Sequence, residues 1–86
     1  MRTAWDTEDW QDYLYWQTQD KKTLKRINAL IQDINRTPFE GLGKPESLKH
    51  DLSGFWSRRI DEQNRLVYRI ENNMLIITQC KTHYKK

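Results

Sequence analysis

The stretch that decides the fold is "RLVYRIENNMLIITQCKTHY", residues 65–84. Leu66, Tyr68 and Ile70 alternate with Arg65, Val67 and Arg69, the two-residue period of a strand that turns one face inward. Asn72-Asn73 is a turn signal, and Met74 to Tyr84 reads as the strand running back. Upstream, Phe55 to Ile60 supplies a third strand, with Trp56 and Ile60 on one face and Ser57 and Arg59 on the other. Consecutive strands joined by short turns are antiparallel, so the C-terminal half is a meander. Its register stays open. A two-residue turn at Asn72-Asn73 pairs Tyr68 with Ile77 and puts Arg65 on the face of Cys80 rather than that of His83; a three-residue turn or a bulge reverses this. Arg59 and Arg65 share a face if the loop between them holds an odd number of residues or is bulged. A slip of one residue inverts every side chain.

Working outward, residues 38–54 hold all three glycines and both prolines and read as irregular. Before them, Leu24, Ile27, Leu30, Ile31 and Ile34 recur at three- and four-residue steps, the apolar stripe of a helix. Asp20 is its N-cap, and Thr37-Pro38 ends it, because the residue before proline avoids the helical region. An earlier helix starts at Asp6 or Thr7 and runs to about Gln17, with Trp10, Tyr13 and Trp16 expected in the core. Residues 2–5 read as a short edge strand. Helices followed by a meander predict an α+β fold, two N-terminal helices on one face of a twisted, mainly antiparallel sheet. The helices cover one face only, so Arg65 is expected on the uncovered side.

The 86 residues suit a single domain, 1–86, with 15 Lys and Arg against 12 Asp and Glu, a net charge of +3. That balance is compatible with a nucleic-acid partner without requiring one. Mean hydropathy is −1.03, but four Trp, four Tyr and two Phe argue for a packed fold rather than disorder. The lone Cys80 forms no internal disulfide, no apolar signal segment follows Met1, and the longest aliphatic run, Met74 to Ile77, is far too short to span a bilayer. A cytoplasmic protein without a membrane role is expected. Two His and one Cys show no ligand spacing, so no metal and no cofactor are expected. Lys21, Lys22, Lys25 and Arg26 crowd the N-terminal end of the second helix, where its dipole disfavours cations; an RNA-facing surface and a solvated helix face both fit.

Glu46, Lys49, Arg59, Arg65, His83 and Tyr84 would suit phosphodiester cleavage in RNA if they met on the open sheet face. The 2′-OH must lose a proton, the departing 5′-oxygen must gain one, and the phosphorane between them carries extra negative charge. A base, an acid and fixed cations answer those needs in turn. Each residue also has an ordinary structural reading: a loop glutamate is usually solvated, sheet arginines are usually salt-bridged, and a histidine near a C-terminus is usually exposed. Spacing alone favours the ordinary readings.

"WDTEDWQDYLYW" (5–16), "INALIQDINRTPFEGLGKPESLKHDLSGFWSRRI" (27–60), "RLVY" (65–68) and "HY" (83–84) together resemble the YoeB branch of the RelE-type toxins over nearly the whole chain. The resemblance implies a RelE-like fold and the toxin of a type II toxin–antitoxin pair: a metal-independent, ribosome-dependent endoribonuclease that cleaves mRNA in the A site and inhibits translation. It implies Glu46 as general base, His83 as general acid and Arg65 as the phosphorane-stabilising cation, with Lys49, Arg59 and Tyr84 in support. It implies a YefM-like antitoxin, the bacterial ribosome and mRNA as partners, a homodimer, and operator DNA only in complex with the antitoxin. The alternatives are a same-fold toxin without catalysis, such as those that poison gyrase, and a nucleic-acid-binding regulatory module. Codon preference and dimer geometry are not legible.

Overall fold

The computed structural model describes residues 1–82. The elements are β1 (Arg2–Trp5), α1 (Thr7–Gln19), α2 (Lys21–Arg36), β2 (Glu46–Ser47), β3 (Trp56–Arg59), β4 (Arg65–Glu71) and β5 (Met74–Gln79), with a 3-10 turn at His50–Leu52. Among the described residues the strands form one five-stranded sheet in the order β1-β5-β4-β3-β2. β1 runs parallel to β5; the other pairings are antiparallel.

The expected α+β architecture is present, with differences of detail. The meander sits where the alternation put it, but β5 stops at Gln79. Its expected extension ends partly among residues 83–86, outside the described residues. The irregular segment contains a strand that was not expected: Glu46 and Ser47 pair with Ser57 and Trp56. Two residues are too few to show a period, so composition hid them. α1 runs two residues beyond Gln17 because only Asp20 separates the helices. Asp20 caps α2 as expected, its carboxylate accepting from the N–H groups of Lys22 and Thr23, both at 3.1 Å. Asp6 occupies the N-cap position of α1 without a side-chain bond.

The core lies between the helices and one sheet face: Ile27, Leu30 and Ile34 of α2 and Trp16 of α1 meet Leu66, Tyr68, Leu75 and Ile77. Of the aromatic trio of α1, Trp16 is buried and Tyr13 packs at the core's edge. Trp10, expected inside, is 42% exposed. It stacks on Tyr13 with ring centres 5.6 Å apart and meets Trp5 edge-on at 5.7 Å, a surface cluster rather than core.

Two details fix the register. Asn72 and Asn73 both adopt left-handed backbone angles, φ 52° and 57°, the requirement of a two-residue type I′ hairpin turn. Tyr68 accordingly pairs with Ile77, but Val67 pairs with Gln79, leaving Thr78 as the extra residue of a bulge. The bulge returns Gln79 to the face of Val67 and Arg65 and leaves Cys80 buried. Arg59 pairs directly with Arg65 across the five-residue loop 60–64, so the two arginines share a face.

Candidate active site

The side of the sheet away from the helices is built by pairing. Glu46 lies opposite Ser57, Ser57 opposite Val67, and Val67 opposite Gln79, a row across four strands. Arg59 and Arg65 form the next row. Residues that pair directly point to the same face, so Glu46, Arg59 and Arg65 stand on one side. Neighbouring strands lie about 4.8 Å apart and alternate residues about 6.8 Å apart along a strand, so the backbones at Glu46 and Arg65, two strands and one row apart, are separated by roughly 12 Å. Glu46 and Arg59 are exposed and Arg65 is half-buried, while Ser57 and Val67 between them are buried. Lys49 is exposed just past β2, at the start of the 3-10 turn. His83 and Tyr84 lie outside the described residues.

Arg65 is partly tied down. Its Nη1 donates to the carbonyls of Asp61 at 2.6 Å and Asn64 at 3.0 Å. Nε and Nη2 have no hydrogen-bond partner among the described residues, so a two-pronged donor edge is left for an anion. Asp61 is buttressed in turn. Burial works to raise its carboxyl, but hydrogen bonds from the Asn64 side chain and from the N–H groups of Asn64 and Gln63 outweigh it and hold the group below the usual range.

The segment carrying Glu46 is fastened by a residue that the sequence reading passed over. Arg58 is fully buried on the helix side. Its Nη1 meets the Asp33 carboxylate at 2.7 Å and the Leu42 carbonyl at 3.1 Å. Its Nη2 donates to the carbonyls of Thr37 at 2.6 Å and Glu40 at 2.9 Å, and its Nε to the Tyr68 hydroxyl at 3.1 Å. Every donor of the guanidinium is used, which is what a buried charge requires. The N–H of Leu42 and the Arg58 guanidinium hold Asp33 below the usual carboxylate range. The parity Trp56-Arg58-Ile60 was the available signal: an arginine between two inward residues needs a buried partner. Farther along, the N–H of Arg59 donates to the Gly43 carbonyl at 2.6 Å. Gly43 has φ +80°, and a Cβ there would come within 3.0 Å of the Arg59 carbonyl, so glycine is what lets the loop lie against β3.

Near the end of β5 a cavity of about 270 Å³ is lined by Glu8, Asp9, Asp12, Thr78, Gln79, Lys81 and Thr82. Asp9 is 1% exposed and neither carboxylate oxygen makes a well-formed hydrogen bond, although the thiol and N–H of Cys80 lie close. Burial raises its pKa to about 6, with Asp12 and Asp6 adding to the rise and Cys80 opposing it. Burial, and then the Asp9 carboxylate, push the Cys80 thiol up. Among the described residues no group of three His, Cys, Asp or Glu gathers that could hold a metal ion, and no helix is long and apolar enough to cross a membrane.

Known proteins are similar to this chain in sequence and in fold. The family model described as the YoeB-like toxin of bacterial type II toxin–antitoxin systems matches residues 5–84. Toxin YoeB of Escherichia coli K12 is 60% identical over 84 residues, 98% of this chain and 100% of its own. The YoeB/ParE toxin of Agrobacterium tumefaciens superposes with a TM-score of 0.96 at 46% identity, covering 98% of this chain and 100% of that one. YoeB of Staphylococcus aureus, solved in a YoeB–YefM complex and as a dimer, superposes with a TM-score of 0.91 in both, at 42% and 44% identity over 98% of each chain. The chain therefore belongs to the YoeB-like toxins of bacterial type II toxin–antitoxin systems.

Proposed function

We propose that this toxin is a ribosome-dependent endoribonuclease that cleaves mRNA in the A site of the translating ribosome. The observation that carries the reading is the common face of Glu46, Arg59 and Arg65, with two donor atoms of Arg65 unpartnered among the described residues. Glu46 takes the proton from the ribose 2′-OH as its oxygen attacks the phosphorus. Arg65, with Arg59 and Lys49 nearby, stabilises the phosphorane. The bond to the 5′-oxygen breaks, and His83 gives that oxygen its proton, leaving a 2′,3′-cyclic phosphate and a 5′-hydroxyl. Tyr84 supports the phosphate-binding end. No protein-held metal ion enters these steps.

Glu46 is exposed in the free chain. The ribosome therefore has two tasks: to exclude water around the carboxylate and to hold the message in line for attack. Positioning of that kind can supply about 7–11 kcal/mol of a barrier. This is the physical reason for ribosome dependence in so open a site. We further propose a cytoplasmic toxin that forms a homodimer and is neutralised by a YefM-like antitoxin, as the S. aureus relative assembles, with operator DNA bound only by the complex. A basic chain with an uncovered sheet face suits an acidic segment that folds on binding.

Primer extension on a translated message tests the reading. The wild type should give discrete breaks that vanish without ribosomes. Glu46→Gln and His83→Gln should each lower the rate by roughly 10²–10⁴-fold while remaining folded. Unbroken message with wild-type protein would favour a toxin that binds without cutting.

A further inference from the structure

We propose that Asn64 is a positioning residue for the reaction above: it fixes the backbone of Thr82, the residue that precedes His83 in the chain. The inference rests on the endoribonuclease reading. Asn64 is 9% exposed and sits at the foot of the β3–β4 loop. Its Nδ2 donates to both Asp61 oxygens, at 3.1 and 3.0 Å. Because a carboxylate only accepts, the amide nitrogen must face Asp61. The amide oxygen is thereby turned toward β5, where it accepts the Thr82 N–H at 2.6 Å. Asp61 is itself immobilised by the N–H groups of Gln63 at 2.8 Å and Asn64 at 2.7 Å. The orientation of the Asn64 amide is thus set by the loop before Thr82 is engaged.

Thr82 is held at its other end too. Its carbonyl accepts from the Arg65 N–H at 2.9 Å and from Gln79 Nε2 at 2.8 Å. Two residues earlier, the Cys80 carbonyl accepts from Trp16 Nε1 at 2.9 Å. Between these ties Thr82 adopts φ +60°, a left-handed angle that a threonine takes only when its surroundings impose it. Such an angle turns the chain sharply one residue before His83. Arg65 joins the two halves of the chemistry: its guanidinium rests on the Asp61 and Asn64 carbonyls, and its backbone N–H holds Thr82. One loop therefore sets both the cation and the backbone that leads to the acid. Asn64 touches neither substrate nor reacting atoms in this scheme; it acts through the chain it holds.

The test is single-turnover cleavage of ribosome-bound message by Asn64→Ala, His83→Gln and the double variant, with thermal melting and ribosome binding measured alongside. Asn64→Ala should stay folded, bind ribosomes as the wild type does, and cleave roughly 10- to 100-fold more slowly, since a misplacement of about 1 Å costs about that much. The alkaline limb of its pH–rate profile, which reports the acid, should move. The double variant should be no slower than His83→Gln. If Asn64→Ala does not fold, Asn64→Leu, which keeps the side-chain volume but cannot accept from the Thr82 N–H, carries the same comparison. Wild-type cleavage by Asn64→Ala beside an impaired His83→Gln overturns the proposal. So does a double variant slowed by the product of the two single effects. A His83→Gln protein that cleaves like the wild type removes the underlying reading, and the proposal with it.

Discussion

Glu46, Arg59 and Arg65 owe their common side to strand pairing, whereas Asp9 owes its chemistry to being out of place. Asp9 lies in the first turn of α1, where the helix dipole favours a negative charge. It is nonetheless buried without a formed hydrogen bond, and its pKa is raised to about 6. A group whose folded value exceeds its unfolded one stabilises the fold when protonated. That contribution is complete below about pH 3.8 and is lost as pH rises through about 6. Asp20, Asp33 and Asp61 are shifted the other way, so their contributions are lost only as pH falls further. Asp9→Asn should therefore be more stable than the wild type at pH 7.5, by on the order of 1–2 kcal/mol after allowance for solvent screening. The advantage should shrink at pH 4.5. Urea denaturation at the two pH values measures it, and an equal difference at both would show that Asp9 is ionised throughout.

At the scale of elements, the decisive parts are the shortest ones. β2 is two residues long, yet it carries Glu46, and it is held from beneath by Arg58 through the loop at residues 37–42. Removing one member of a buried charge pair strands the other without solvent. Arg58→Met should lower the melting temperature by more than about 10 °C, seen by far-ultraviolet circular dichroism. A melt within about 2 °C of the wild type would mean that the loop has another anchor. The helices and the meander were legible because their apolar residues repeat with clear periods, as at Ile27-Leu30-Ile34 and Leu66-Tyr68-Ile70. The turn at Asn72-Asn73 was legible from its residue types, but its two-residue length was not. The bulge at Thr78 was not: alternation in "MLIITQ" reads the same with or without an extra residue, and only pairing with Val67 and Tyr68 reveals it. The parallel pairing of β1 was equally hidden, because which strand an edge segment joins is a matter of tertiary packing.

At the scale of the whole molecule, the sheet divides the labour. One face buries the core against α1 and α2, and the other gathers Glu46, Arg59 and Arg65 in two adjoining rows. The composition of this chain does not distinguish such a face from an ordinary charged surface. A glutamate in "KPES" and arginines at positions 59 and 65 are common surface residues, and the meeting of Arg59 and Arg65 depends on the length of the loop between them. The roles proposed for these residues come from the resemblance to the family's motifs, and the structure adds the reason why Glu46, Arg59 and Arg65 share one side. The Arg58 hub left only the parity Trp56-Arg58-Ile60 as a signal, and the Asp61-Asn64 loop left none, since Asn64 acts through the backbone N–H of Thr82.

The most direct measurement follows cleavage of a ribosome-bound message that carries one 2′-deoxyribonucleotide immediately 5′ of the scissile phosphate. If Glu46 draws a proton from the 2′-OH across the open face, that message stays intact, while the all-ribose message yields a 2′,3′-cyclic or 3′-phosphate and a 5′-hydroxyl. Cleavage of the deoxy message at the ribose rate, with a 5′-phosphate on the product, would contradict the mechanism.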